Sequence, residues 1–128
     1  MRAMVIDDSR AMRMILKRIV AKLNFEVTEA GDGQEAIDLL ATMTEVPDLA
    51  LIDWNMPNMN GLEFVTKARA DPRLREMTLV MVTTESEQNQ IVRALAAGAH
   101  EYVIKPFTEG AMIEKLALLG LVPTGANS

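Results

Sequence analysis

Residues 49–61 of the chain read LALIDWNMPNMNG, and this stretch carries the pattern on which the fold prediction depends. Four apolar residues lead to Asp53, a loop rich in asparagine and proline follows, and the apolar residues after Gly61 recur at helical spacing. An apolar run without alternation is typical of a strand that is covered on both faces. We therefore predict a buried strand at Leu49–Asp53 that leads through a loop into a helix ending before Pro72.

The same order of strand, loop and helix recurs along the chain. The predicted strands are Met4–Asp7, Glu26–Ala30, Leu49–Asp53, Leu79–Val82 and Tyr102–Ile104. Between them apolar residues recur at helical spacing, as on the predicted face of the first helix, Met12, Ile15, Leu16, Ile19 and Leu23. Such alternation favours a parallel sheet with helices on both faces, because the crossovers are right-handed. We therefore predict an α/β fold, a single doubly wound (βα)5 domain of the flavodoxin-like type. By analogy with such folds, the five-stranded parallel sheet takes the order 2-1-3-4-5.

The predicted helices have suitable residues at their ends. Either Ser9 or Asp8 can cap the first helix, and Ser86 or Glu87 opens the fourth. Gly98 stands where a glycine commonly follows the last turn of a helix. We expect the domain to cover residues 1–121 and the small, polar segment 122–128 to be a short frayed tail.

The composition disfavours several classes of protein. The 128 residues fit one domain, and without cysteine the chain offers neither a thiol nucleophile nor a cysteine-bound zinc cluster. A net charge of −5 disfavours binding to nucleic acid, and the longest uncharged apolar run, 116–122, is too short to span a membrane. We expect a cytoplasmic monomer. Its methionines, Met12 and Met14 among them, are expected to fill gaps in the core.

Polar residues stand at the ends of the predicted strands: Asp7 and Asp8, Asp53, Thr83 and Lys105. In a parallel sheet these side chains open at one edge, where three carboxylates raise a pKa or require a cation. Ligands with oxygen atoms only favour Mg²⁺. The ammonium of Lys105 suits a phosphate oxygen, and the hydroxyl of Thr83 can donate one hydrogen bond. These groups are the parts needed for phosphoryl transfer to a carboxylate.

Several motifs together resemble the response-regulator receiver family. They are Asp7-Asp8, the segment 53–61, Thr83 and Lys105-Pro106-Phe107, and they occur in the order and at the spacing of that family. The resemblance extends from Arg2 to about Gly120. The segment 53–59, together with Tyr102, is similar to the chemotaxis type of the family. The resemblance implies a receiver domain that stands alone.

The resemblance implies a role for each residue of the site. Asp53 would be the phosphoacceptor and would become a 4-aspartylphosphate. Asp8 would bind Mg²⁺ directly, Asp7 would bind it through a water, and the backbone carbonyl of Asn55 would complete the protein ligands. Lys105 would pair with a phosphoryl oxygen.

The resemblance also implies a switch. Thr83 would move to bond the phosphoryl group, and Tyr102 would then swing inward and remodel the face formed by the fourth helix, fifth strand and fifth helix. The bond before Pro106 is cis in the family. Asn55 with Glu85 resembles members whose phosphorylated state is short-lived, whereas Thr84 is larger than the residue that is common there.

The expected function is a phosphorylation-activated switch of a two-component system, not a turnover enzyme. The chain would catalyse only its own phosphorylation and dephosphorylation. The donor would be a phosphohistidine kinase, CheA-like, and the output protein would be a target such as the flagellar motor switch. A phosphate sink, or a regulator of another kinase or output protein, fits the sequence as well.

Two functions of other classes are weighed against the switch. Residues 31–36 satisfy the G-x-G-x-x-A pattern of a nucleotide- or flavin-binding domain, but they follow the second strand instead of the first. A phosphatase with an aspartate nucleophile would need a second acid two residues later, where this chain has Asn55. His100 is expected to be an exposed loop residue, not a phosphorelay histidine.

Overall fold

Strands and helices alternate through the computed structural model, which describes residues 1–84 and 88–121. The strands are β1 Arg2–Ile6, β2 Glu26–Ala30, β3 Leu49–Asp53, β4 Thr78–Thr84 and β5 Glu101–Lys105. The α-helices are α1 Arg10–Lys22, α2 Gly33–Thr42, α3 Gly61–Ala70, α4 Gln88–Ala97 and α5 Glu109–Leu118. A short 3-10 helix, Pro72–Leu74, precedes β4. In these two described ranges, no helix is long and apolar enough to cross a membrane.

The five strands form one sheet in the order β2-β1-β3-β4-β5, and each neighbouring pair is parallel. The predicted doubly wound, flavodoxin-like fold is therefore confirmed. β4 is longer than predicted, because Thr83 and Thr84 continue the ladder opposite Ile104 and Lys105. β1 ends at Ile6, one residue earlier than predicted.

The sheet buries a separate apolar layer on each face. Leu49 and Leu51 of β3 belong to the layer that α1 and α5 cover, whereas Ala50 and Ile52 belong to the layer beneath α2, α3 and α4. β3 is buried along its whole length. This double coverage is the reason for its unbroken apolar run, and it leaves the end of the strand as the place for a charged residue.

The predicted core positions of Met14 and Ile15 are wrong. Their exposed fractions are 53% and 44%. The buried residues of α1 are Leu16, Ile19 and Val20, and these already fill the stripe that the helix presents to the sheet. Because each residue turns a helix by about 100°, Ile15 falls beside that stripe and Met14 lies well outside it.

Ser9, and not Asp8, caps α1: its hydroxyl accepts a hydrogen bond from the backbone N–H of Met12 at 3.2 Å. Gly98 directly follows α4 with a φ of +126°, the left-handed conformation expected of a glycine that ends a helix. The predicted start of α4 at Ser86 or Glu87 and the predicted tail at 122–128 lie outside the described residues.

Gly61 allows α3 to begin directly beside the end of β3. Its backbone N–H donates to the carbonyl oxygen of Trp54 at 2.9 Å. A Cβ atom at Gly61 would lie 2.8 Å from the carbonyl oxygen of Asp53 and 3.0 Å from the Cα of Trp54. Both neighbours are backbone atoms that cannot rotate away, so a larger residue must displace the end of β3.

We expect Gly61→Ala to lower the free energy of unfolding by about 1–3 kcal/mol in urea, the usual cost of forcing an extra carbon into a packed site. Gly110→Ala is the control, because the nearest atom to its added Cβ is the hydroxyl of Thr108 at 3.9 Å. That change should leave the protein unchanged or stabilise it by up to about 1 kcal/mol, since α5 loses a glycine. Equal stability of Gly61→Ala and wild type would show that this close approach is not constrained.

Candidate functional site

The sheet register brings the predicted site residues to one edge. Asp7 directly follows β1, Asp53 is the last residue of β3 and pairs with Val82, and Lys105 is the last residue of β5 and pairs with Thr84. All of these positions lie at the carboxyl ends of parallel strands. The tertiary structure therefore assembles side chains that are about 100 residues apart in the chain.

Three carboxylates form the centre of the site. One oxygen atom each from Asp7, Asp8 and Asp53 lies within 4.8 Å of the others. Asp7 is 1% exposed and Asp53 is 9% exposed, whereas Asp8 faces solvent. The cluster thus has two acids withdrawn from water and one at its mouth.

Lys105 is the cation that contacts this cluster. Its Nζ lies 3.1 Å from Oδ1 of Asp53 and 3.5 Å from Oδ2 of Asp7. The peptide bond between Lys105 and Pro106 is cis, as the resemblance implied. Within residues 1–84 and 88–121, Lys105 is the one cation in contact with the cluster, so the three carboxylates share a single ammonium.

Burial and repulsion together change the acidity of the cluster. Burial raises the pKa of Asp53 to about 6, and the negative charge of Asp7 adds to this rise while Lys105 opposes it. Burial likewise raises the pKa of Asp7, although a hydrogen bond from the backbone N–H of Ser9 works against the rise. Both carboxyls therefore bind protons more strongly than an exposed aspartate.

The oxygen atoms of the site suit a divalent cation. Oδ2 of Asp7 is buried and makes no hydrogen bond to the described residues, although the ammonium of Lys105 is nearby. A buried carboxylate oxygen without a hydrogen bond is unfavourable unless a cation compensates it. A cluster of carboxylate oxygens without histidine or cysteine is the donor set that Mg²⁺ prefers.

The other predicted residues surround this centre. Thr83 is buried at 2% exposure in the second-last position of β4. Asn55 lies exposed in the loop after β3, two residues beyond Asp53. Tyr102 is half-buried on the edge strand β5, and the Nζ of Lys115 lies 4.8 Å from the centre of its ring. The functional roles of these residues stay predictions. Glu85 lies outside the described residues.

Sequence reasoning missed the contribution of Arg13 to the site. Its Nη1 donates to the backbone carbonyl of Asp7 at 2.6 Å, while its Nε lies 3.3 Å from Oε1 of Glu29 on β2. The guanidinium thus holds the start of the β1–α1 connection against the neighbouring strand. No sequence motif predicts this role, because an arginine four residues after a helix cap is usually exposed to solvent.

Two features of the structure bear on the competing functions. The first concerns nucleotide binding, for which Gly33 is the second glycine of the pattern. Here Met59 packs directly against Gly33, and its Cγ and carbonyl oxygen would each lie 2.9 Å from an added Cβ. The missing side chain of Gly33 therefore makes room for Met59 of the same chain, so a bound pyrophosphate is not needed to explain this glycine. His100 is exposed between α4 and β5, as expected, and its Nδ1 accepts from the backbone N–H of Leu79 at 3.1 Å.

We expect Asp53→Asn to stabilise the metal-free protein at neutral pH. The folded-state pKa of about 6 lies above the ordinary value of 3.8, so between these values the folded state binds the proton more strongly than the unfolded chain. Wild type therefore loses stability relative to the variant as pH rises from 4 to 6. The difference should level off above pH 7 at about 1–3 kcal/mol.

Urea unfolding of both proteins in EDTA gives the difference in the free energy of unfolding at each pH. Because both proteins share the other titrating groups, the contribution of those groups largely cancels in this difference. Asp38→Asn, on the exposed face of α2, is the control and should change stability by less than about 0.5 kcal/mol. A difference between wild type and Asp53→Asn that stays constant from pH 4 to pH 7 would contradict the raised pKa.

Comparison with known proteins identifies the family of the chain. "Chemotaxis protein CheY homolog" of Campylobacter jejuni is 45% identical over 117 residues, which cover 91% of this chain and 89% of that relative. "Chemotaxis protein CheY1" of Helicobacter pylori is 42% identical over 120 residues, which cover 93% and 96%. The solved structure of chemotaxis response regulator CheY4 of Vibrio cholerae matches with a TM-score of 0.84 at 28% identity, over 92% of this chain and 97% of that one. Because residues 3–117 also match the family described as the response regulator receiver domain, the chain belongs to that family, whose members are phosphorylation switches of two-component signalling.

Proposed function

We propose that Asp53 is the phosphoacceptor of this receiver domain and that its phosphorylation changes the binding of a partner at the face formed by α4, β5 and α5. The single observation that supports this most strongly is the surroundings of Asp53. It ends a buried strand, lies 3.1 Å from the ammonium of Lys105, and shares a cluster with two further acids. This combination suits a carboxylate that accepts a negatively charged group.

The proposed metal ligands are Asp7, Asp8, Asp53 and the backbone carbonyl of Asn55. Bound Mg²⁺ would supply positive charge that offsets the repulsion among the carboxylates and the incoming phosphoryl group. The buried Oδ2 of Asp7 supports this assignment, because it makes no hydrogen bond to the described residues and the ammonium of Lys105, 3.5 Å away, is shared with Asp53. Asp8, which is exposed at the mouth of the cluster, can reach a metal ion that enters from solvent.

The proposed reaction transfers a phosphoryl group from a phosphohistidine to Asp53. A carboxylate oxygen of Asp53 forms an O–P bond as the N–P bond of the donor breaks, and the imidazole of the donor leaves with its electron pair and takes up a proton. Lys105, already beside Asp53, then pairs with a phosphoryl oxygen and limits the added negative charge. The protein changes no other bond.

The proposed switch uses Thr83 and Tyr102. A hydroxyl that bonds the phosphoryl group gains that bond only in the phosphorylated state, so the group biases the equilibrium between two conformations. A difference of roughly 1–3 kcal/mol would change partner affinity by about 5- to 150-fold. Thr83 lies opposite Ile104 on β5, two residues beyond Tyr102, which provides a short route between the site and the proposed face.

The proposed output face has apolar surface available for a partner. Val92 of α4 is 66% exposed and Leu118 of α5 is 76% exposed. Between β5 and α5 lies a groove of about 340 Å³, whose lining includes Tyr102, Phe107 and Lys115. Exposed apolar side chains and grooves are typical of surfaces that bind another protein.

The names of two relatives support a role of this switch in chemotaxis. Both curated relatives described above are named as chemotaxis proteins. We infer from this similarity that the donor is a CheA-like phosphohistidine kinase and that the output protein is the flagellar motor switch. A phosphate sink, or a regulator of another kinase or output protein, is the alternative that the same site would serve.

Trp54 provides a direct test of the site, because it is the chain's one tryptophan and directly follows Asp53 at 5% exposure. We expect Mg²⁺, and then beryllofluoride or a small phosphodonor, to change its fluorescence in two steps. Both responses should disappear in Asp53→Asn and persist in the control Asp38→Asn. A full response of Asp53→Asn to Mg²⁺ and beryllofluoride would overturn the assignment of Asp53.

The output can be tested by binding of purified candidate partners to resting protein and to protein activated with Mg²⁺ and beryllofluoride. We expect activation to tighten binding of the motor switch protein about 5- to 150-fold. Val92→Thr, which keeps the side-chain shape, should weaken this binding, whereas Met14→Gln, an exposed apolar position on α1, should not. Equal binding of resting and activated protein would favour the phosphate sink.

A further inference from the structure

The loop that follows the proposed phosphoacceptor, residues 54–60, is fastened at both its base and its tip. At the base, the backbone N–H of Gly61 donates to the carbonyl oxygen of Trp54. At the tip, Nδ2 of Asn58 donates to Oδ2 of Asp32 at 2.9 Å, and Met59, 4% exposed, packs against Gly33. The tip is therefore attached to the amino end of α2, which lies outside the sheet.

The two side chains of the tip contact are each suited to it. Asn58 has a φ of +66°, a left-handed conformation that asparagine adopts more readily than most residues. Asp32 caps α2, since its Oδ1 accepts from the backbone N–H of Glu35 at 2.8 Å, which leaves Oδ2 for Asn58. The hydrogen bonds from Glu35 and then from Asn58 lower the pKa of Asp32, so the contact is made by an ionised carboxylate.

We propose that Asp32 and Asn58 are positioning residues for the metal site and that their hydrogen bond, here called the Asp32–Asn58 clasp, holds the Asn55 carbonyl ready to bind the cation. This inference rests on the proposed function, because it takes Mg²⁺ as the ion and Asn55 as a ligand. Neither Asp32 nor Asn58 is among the proposed ligands, and both would act through the loop. A loop without the clasp would have to be ordered when the cation binds, and this would lower the affinity.

A purely structural role for the clasp predicts a different result. If the clasp only caps α2, its loss lowers the free energy of unfolding but leaves the Mg²⁺ affinity of the folded protein unchanged. A role through charge alone predicts the opposite direction. An added negative charge near three carboxylates attracts a cation and would tighten its binding.

Asn58→Asp separates these possibilities. The change places a second carboxylate 2.9 Å from the position of an Asp32 oxygen, so the clasp becomes a repulsion. We expect the dissociation constant for Mg²⁺, measured by Trp54 fluorescence, to rise about 5- to 10-fold, near the lower limit for residues that orient metal ligands. Because the added charge favours cation binding, a weaker affinity would show that the geometry of the loop outweighs the effect of charge.

The double variant Asp32→Asn with Asn58→Asp provides the rescue. It exchanges donor and acceptor, keeps the net charge of wild type, and still offers an oxygen to the backbone N–H of Glu35. We expect its Mg²⁺ affinity to return to within about 2-fold of wild type, as expected for a restored charge-assisted hydrogen bond. Urea unfolding of each variant confirms that the folded protein is measured.

Asn24→Asp is the matched control. Asn24 is exposed, has a φ of +68°, and lies in the turn between α1 and β2, at the opposite edge of the sheet from the acids. The same charge change there should leave the Mg²⁺ affinity unchanged. If wild type responds to Mg²⁺ and Asn58→Asp binds Mg²⁺ as tightly or more tightly, this inference alone is overturned. The same holds if Asn58→Asp binds Mg²⁺ more weakly and the double variant does not restore the affinity. A wild type without any Mg²⁺ response would overturn the proposed function and this inference with it.

Discussion

The carboxylates at the carboxyl edge of the sheet repel one another, and the chemistry of the site depends on how that repulsion is relieved. Asp7 and Asp53 are withdrawn from water, which makes their ionised forms unfavourable and raises the pKa of each. Lys105 compensates part of the negative charge and is shared between the two acids. Because the three carboxylates share one ammonium, the cluster favours the binding of a proton or a cation. A further negatively charged group can bind there only if additional positive charge compensates it.

The rest of the fold holds these charged side chains in place despite their repulsion. β3 is buried throughout and lies between β1 and β4, with an apolar layer on each face of the sheet. A strand held in this way gives its last residue a defined position, so Asp53 cannot move away from its neighbours to relieve the repulsion. The close approach of Gly61 to the same strand end, and the clasp between Asp32 and Asn58, extend this rigidity into the following loop.

The same sheet also connects the site with the proposed output face. Lys105 and Tyr102 belong to one strand, and Thr83 lies on the strand beside it. The ring of Tyr102 is half-buried and has the ammonium of Lys115 near its face, while Lys115 forms an ion pair with Glu101 at 3.2 Å. The end of β4 is therefore separated from α5 only by the edge strand, and the proposed switch would act across this short distance.

Alternation of apolar runs and helical stripes is a local property of the chain, and the sequence by itself determined the order of the elements and the polar residues at the strand ends. It also predicted the shared edge, since parallel strands all end on the same side. Only the tertiary structure decided that Ile15 faces solvent and that Asn58 meets Asp32, 26 positions away. It likewise decided the burial of Asp53 and its approach to Asp7 and Lys105, which together set the pKa of that carboxyl. Helix orientation, loop contacts and the field at a buried carboxylate all depend on which groups are adjacent in space, and spacing along the chain does not specify that adjacency.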